Sequence, residues 1–145
     1  MGLFAVPSGL GQDQSVLGDI HKRLQTRGIE ARHDYDRTLF VAEIVGFGPV
    51  YQGVCKTAVS ESVDFRLTTV LLGKPPQPFV RADYVNCSRL PLPSPLFTLH
   101  SSVIVYCFQN MRTLKCLDPV TSSEQRIRTV KRWIAQMPPE KGKGR

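Results

Sequence analysis

Between Gln14 and Arg27, apolar residues recur at Leu17, Ile20 and Leu24, the i, i+3, i+7 spacing of one helical face. This predicts an amphipathic helix that Asp13 or Ser15 can cap, with Gly28 suited to the position after its end. His21, Lys22, Arg23 and Arg27 read as its solvated face. The period then shortens to two. Thr38–Val45, rich in β-branched and aromatic residues, predicts a strand. Tyr51–Val59 predicts a second, after the punctuation Gly46-Phe47-Gly48-Pro49. In a third, Val63–Leu72, the residues Val63, Phe65, Leu67 and Leu71 share one face, while Asp64, Arg66 and Thr68 begin the other. Gly73 to Pro78 is a stiff break, and Phe79–Val85 a short fourth strand.

Arg89–Pro95 alternates with proline and cannot sit inside a sheet, so it reads as an extended surface connection or a polyproline ligand. Leu96–Phe108 is the strongest strand. Val103, Val105 and Cys107 face one way and Ile104, Tyr106 and Phe108 the other, so both faces are apolar and the strand belongs at the centre of the sheet. Gln109-Asn110 can turn it into a hairpin partner at Arg112–Leu117. Ser122 to Gln125 has capping-box spacing. Ile127, Val130, Ile134 and Met137 then form a helical stripe, widened by Trp133 and stopped by Pro138-Pro139.

Helix, strands, helix is the order of an α+β fold: a single domain whose mainly antiparallel sheet is flanked by an N-terminal and a C-terminal amphipathic helix. Residues 1–12 read as a flexible lead-in, 13–137 as the domain and 138–145 as a basic mobile tail. A length of 145 residues suits one domain with a core of its own. Hydrophobic residues at 41% and charged ones at 21% exclude a disordered chain. No run of about 18 apolar residues predicts a membrane span. Met1 to Leu10 lacks a basic region and a long apolar core, so no secretory signal is read. Its Met1-Gly2 start resembles a myristoylation site, with Val6 where Ser or Thr is required. The expected setting is therefore intracellular, cytoplasm or nucleus, with a peripheral membrane association left open.

Cys55, Cys87, Cys107 and Cys116 form no C-x-x-C pair, and only three histidines accompany them, so neither a metal site nor a cofactor is expected. The cysteines are expected as reduced thiols. Asn86-Cys87-Ser88 is a formal glycosylation sequon that matters only in a secreted chain.

Charge changes the picture more. The chain carries a net +7, but residues 1–104 hold ten basic and nine acidic residues, a net of +1. Residues 105–145 hold nine basic residues against Asp118, Glu124 and Glu140, a net of +6. Arg128, Lys131 and Arg132 fan out beside the apolar stripe of the last helix, and Arg126 lies on its other side near Trp133. Lys141, Lys143 and Arg145 extend the positive charge into the tail. Such a footprint attracts phosphate, as a nucleic-acid backbone or an anionic lipid surface. No base-reading motif is present.

His33-Asp34-Tyr35-Asp36 is the densest polar cluster and reads as a surface turn. His100-Ser101-Ser102 is a single His-x-Ser unit, and no G-x-S-x-G elbow exists. Gly48-Pro49-Val50-Tyr51-Gln52-Gly53, Lys74-Pro75-Pro76 and Cys116-Leu117-Asp118, behind an amphipathic first helix, resemble the order of motifs in ubiquitin-conjugating enzymes. The resemblance implies that Cys116 accepts a thioester. The chain departs from that pattern in lacking a His-Pro-Asn segment and in placing Cys116 forty positions after Pro76. Leu114 to Asp118 also resembles the Leu-x-Cys-x-Glu peptide that binds the retinoblastoma pocket. A basic, β-rich single domain ending in a hairpin and a helix is similar to small matrix proteins of negative-strand RNA viruses, which implies surface binding and self-association.

The function expected from the sequence is a non-enzymatic basic binding module for an anionic surface, matrix-like or accessory, with no small-molecule substrate and with homo-oligomerisation open. Its contact residues are Arg126, Arg128, Lys131, Arg132, Lys141, Lys143 and Arg145. The alternatives are an enzyme using Cys116 as nucleophile and an adaptor using the proline-rich segment 89–95.

Overall fold

A computed structural model describes residues 8–26, 37–52, 59–75, 77–86, 98–110 and 113–138. The elements are α1 (Ser8–Thr26), β1 (Arg37–Gln52), β2 (Val59–Leu72), β3 (Phe79–Asn86), β4 (Ser102–Asn110), β5 (Thr113–Cys116), β6 (Val120–Thr121) and α2 (Glu124–Ala135). All described strand pairs are antiparallel, in the order β3-β2-β1-β4-β5, with β6 pairing β4 beyond β5. The fold is α+β, and its sheet curls until it is nearly a barrel. Tyr84 on β3 donates from its hydroxyl to the Leu117 carbonyl at 3.0 Å, joining one edge of the curl to the other.

Period-two alternation divides the apolar residues between two faces. The inner face collects Phe40, Ala42 and Ile44 of β1, Val63 and Phe65 of β2, and Val103, Val105 and Cys107 of β4. The rings of Phe40 and Phe65 meet edge-on there, 6.3 Å apart. The other face presents Leu39, Val41, Ile104 and Tyr106, and shares one buried cluster with Leu17, Ile20 and Leu24 of α1 and Val130 of α2. β4 is buried on both sides between β1 and β5, the central place its sequence predicts.

Several boundaries differ from the sequence reading. α1 begins at Ser8, within the segment expected as a lead-in. Asp13 therefore caps nothing: it lies inside the helix, 3% exposed. Gly46-Phe47-Gly48-Pro49 does not end β1, which runs on to Gln52 because register shifts at Ile44/Gly46 and Phe47/Val50 absorb the irregularity. The separate strand expected over Tyr51–Val59 is thus divided between the end of β1, residues 53–58 outside the described set, and the start of β2. Further shifts at Leu39/Phe40 and Val41/Ala42 break the alternation in β2, so Leu71 joins the helix-side cluster rather than the face of Val63 and Phe65. β4 starts only at Ser102, after a turn in which His100 takes φ +69°.

Gly73 ends β2 at φ +81°, where an added β-carbon would stand 2.2 Å from the Arg37 carbonyl oxygen. Only glycine fits so close an approach. Ser123, not Ser122, caps α2: its hydroxyl accepts the Arg126 N–H at 3.1 Å, while Ser122 donates to Ser102 at 2.7 Å. Among the described residues no helix is long and apolar enough to cross a membrane.

Candidate anion-binding surface

α2 is built from two stripes. Val130 is buried, with Ile127, Trp133, Ile134 and Met137 packed around it. The opposite side, carrying Glu124, Gln125, Arg128, Lys131 and Arg132, is exposed. None of the side chains of Arg128, Lys131 and Arg132 makes a hydrogen bond or ion pair with another described residue, so three positive charges stand together on little more than one turn of α2.

Arg126 is placed differently. Its Nη1 donates to Asp13 Oδ2 at 3.0 Å and to the Thr121 carbonyl at 2.8 Å, with side chains only 19% and 5% exposed for Arg126 and Asp13. This pair clips the first turn of α2 to α1, and its charge is cancelled. Arg126 therefore belongs to the architecture of the surface. Asp13 Oδ1 has no partner among the described residues, so the buried carboxylate depends on Arg126 for compensation.

The pair has a signal in the sequence. Asp13 precedes Leu17, Ile20 and Leu24 at the spacing with which Arg126 precedes Val130, Trp133 and Met137. Each is a charged residue at the head of an apolar stripe, and two such residues of opposite sign are candidates for one another.

The face of α1 expected to be solvated is partly used. His21 stacks on Trp133 with ring centroids 4.2 Å apart and planes 12° from parallel. Arg23 bonds Asp19 at 3.0 Å and lies over the Phe108 ring at 5.2 Å. Of His21, Lys22 and Arg23, Lys22 alone is exposed. A groove of about 450 Å³ runs between the helices, lined by Gln14, Gly18 and His21 of α1 and by Gln125, Thr129 and Trp133 of α2. Arg37, unanticipated from sequence, is 2% exposed and reaches the Arg23 carbonyl at 3.0 Å, the Tyr106 hydroxyl at 3.4 Å and the Met137 sulfur at 3.8 Å.

Away from the helices, the exposed arginines of the sheet, Arg66 and Arg81, are paired with carboxylates. Glu43 binds Arg66 through Oε1 and His100 Nδ1 through Oε2, the latter at 2.9 Å. The His100 hydrogen bond, then that of Arg66, holds the Glu43 carboxyl below its usual range. Arg81 grips both oxygens of Asp64 at 2.6 and 3.1 Å, which lowers that carboxyl too. Burial, with the nearby Asp118 charge, pushes the Tyr84 phenol up. The His100-Ser101-Ser102 unit is thus part of an exposed ion-pair cluster: His100 is 69% exposed and lines neither of the described grooves.

Cys116 faces Cys107 across the β4–β5 ladder, and the two form a disulfide. This corrects the expectation of reduced thiols: antiparallel pairing sets the two side chains directly opposite each other, a proximity that a nine-residue separation does not reveal. While the bond stands, Cys116 offers no thiolate for a thioester. Its Leu114 to Asp118 segment is held against β4 rather than presented as a free peptide. The His33 to Asp36 cluster, Cys55, Cys87, the proline-rich segment 89–95 and Lys141, Lys143 and Arg145 lie outside the described residues. No three His, Cys, Asp or Glu side chains converge as a metal site among those described. Comparison with family models, with curated proteins and with solved structures finds no match to this chain in any of the three.

Proposed function

We propose that the protein is a non-enzymatic binding module whose exposed α2 face engages phosphate-bearing surfaces. One contrast carries the reading. Of the seven arginines in the described residues, Arg23, Arg37, Arg66, Arg81 and Arg126 are bonded to other groups of the fold. Arg128 and Arg132 are not, and Lys131 stands between them. Cations left without internal partners are available to an external anion, and their proximity lets one strand of phosphates meet several at once. Lys141, Lys143 and Arg145 follow α2 in the sequence and add to the positive charge of this end of the chain. The two helices are read as flanking the sheet on one face, which their shared cluster with Leu39, Val41, Ile104 and Tyr106 supports.

The setting expected from the sequence for such a module is intracellular, in the cytoplasm or nucleus or at a membrane surface. The disulfide speaks against it, since such bonds persist mainly in oxidising compartments.

The test is titration of a single-stranded oligonucleotide and of anionic lipid vesicles against the protein over a salt series, with Arg128, Lys131 and Arg132 changed together to Ala. Binding that weakens with salt and is lost in the variant supports the proposal. Binding that ignores salt, or survives the three substitutions, rejects it.

A further inference from the structure

The groove between α1 and α2 adjoins the basic face. Arg128 follows Gln125 by one turn of helix, and Arg132 follows Thr129 by one turn. Gln125 and Thr129 line the groove, so its wall passes into the row of unpaired cations. Its floor holds Leu17 and the parallel stack of His21 on Trp133. Its other side chains are polar: Gln14, Ser123, Gln125 and Thr129 offer amides and hydroxyls that both donate and accept, and Arg126 lines it too, its guanidinium bonded to Asp13. Beside His21, one turn towards the start of α1, Gly18 carries no side chain. Nothing stands within 4 Å of where its β-carbon would be. An aromatic platform, an open slot beside it, polar walls and a cationic rim therefore coincide in a space of about 450 Å³.

We infer that this groove takes an unpaired base of single-stranded nucleic acid. The base stacks against the His21–Trp133 pair in the opening left at Gly18. The flanking phosphates run over Arg128 and Arg132. Stacking on aromatic rings beside a positive track is how proteins hold single strands without reading sequence. A lipid surface fits less well. A helix that lies in a bilayer interface needs an outward apolar face, and the exposed positions of α2 are Glu124, Gln125, Arg128, Lys131, Arg132 and Ala135. Its apolar stripe is already covered by the fold.

The inference rests on the anion-binding reading of α2, and the experiment separates the two. Trp133 is the chain's one tryptophan, so its emission reports on the groove alone. The probes are an oligothymidylate and an abasic oligonucleotide of equal length, titrated at low salt. The variants are Gly18→Leu, which places a bulky side chain where an added β-carbon meets no obstacle, Gly18→Ala as its control, and His21→Ala.

The expected result is that oligothymidylate binds about tenfold tighter than the abasic strand and changes Trp133 emission saturably. Gly18→Leu and His21→Ala should remove that advantage, Gly18→Ala should keep it, and the thermal midpoint of Gly18→Leu should stay near that of the wild type. Equal affinity for the two strands with unchanged emission overturns the groove inference and leaves the anion-binding reading standing. Binding of neither strand, or of anionic vesicles alone, overturns the groove inference together with a nucleic-acid role for α2.

Discussion

The sheet and the last helix carry charge in opposite ways. On the strands, Glu43 pairs with Arg66 and hydrogen-bonds His100, and Asp64 pairs with Arg81, so these cations and anions project little field. On α2, Arg128, Lys131 and Arg132 share a face with Glu124 as its sole described acid, and none of the three is paired with it. The two regions differ less in how many charges they hold than in whether partners stand opposite. Cross-strand register does this for β2 and β3, by setting Asp64 directly against Arg81. A helix has no such facing neighbour on its solvent side, so cations placed there remain available.

A third kind of charge, the buried pair that clips α2 to α1, should give the largest effect. Arg126→Ala would leave Asp13 buried without its counter-charge. Loss of one partner of a buried pair costs about 3–5 kcal/mol, readable as a large fall in the urea midpoint. The double change of Asp13→Leu with Arg126→Met should recover most of that loss, because apolar side chains fit the covered site. By contrast, Arg66→Ala on the exposed sheet should shift stability by about 1 kcal/mol or less. If Arg126→Ala proves as mild as Arg66→Ala, the distinction between clip and surface fails.

Gly73→Ala should fall between these in effect, with a cost of about 1–3 kcal/mol from a strained backbone, plus the shift needed to clear the Arg37 carbonyl. A thermal midpoint equal to that of the wild type would contradict the close approach.

The smallest effect concerns pH. The Glu43 and Asp64 carboxyls are held below their ordinary values of 4.5 and 3.8. Their contribution to stability is therefore complete above those values and is lost as pH falls through the lower folded-state values. Glu43→Gln should leave neutral-pH stability nearly unchanged and make the acid-side decline shallower. An unaltered acid limb would show that its pairing with Arg66 and His100 contributes nothing.

Much of this was legible in the sequence. The two-sided apolar pattern of Val103 to Phe108 located the central strand, and the concentration of positive charge located α2. What escaped was what pairing decides. Bulges carry β1 through Gly46 and Pro49 and turn Leu71 to the other face, and no local period encodes them. The Cys107–Cys116 bond follows from hairpin register rather than spacing. Arg37 follows Asp36 in what reads as a surface turn, and only the meeting of α1, β4 and the end of α2 encloses it. Asp13 and Arg126 were visible as charges heading apolar stripes, but their meeting required the helices to be adjacent.

The most direct measurement compares two variants of equal formal charge, Arg128→Ala with Arg132→Ala and Arg66→Ala with Arg81→Ala. Each should carry a net charge of +5 in place of +7. Affinity for a single-stranded oligonucleotide is followed over a salt series. The expected result is that the α2 variant binds more weakly and its dependence of log K on log salt is flatter by about 1.4, two phosphate contacts' worth, while the sheet variant keeps the wild-type slope. Equal weakening of both variants would show that net charge alone governs binding and would contradict a binding face on α2.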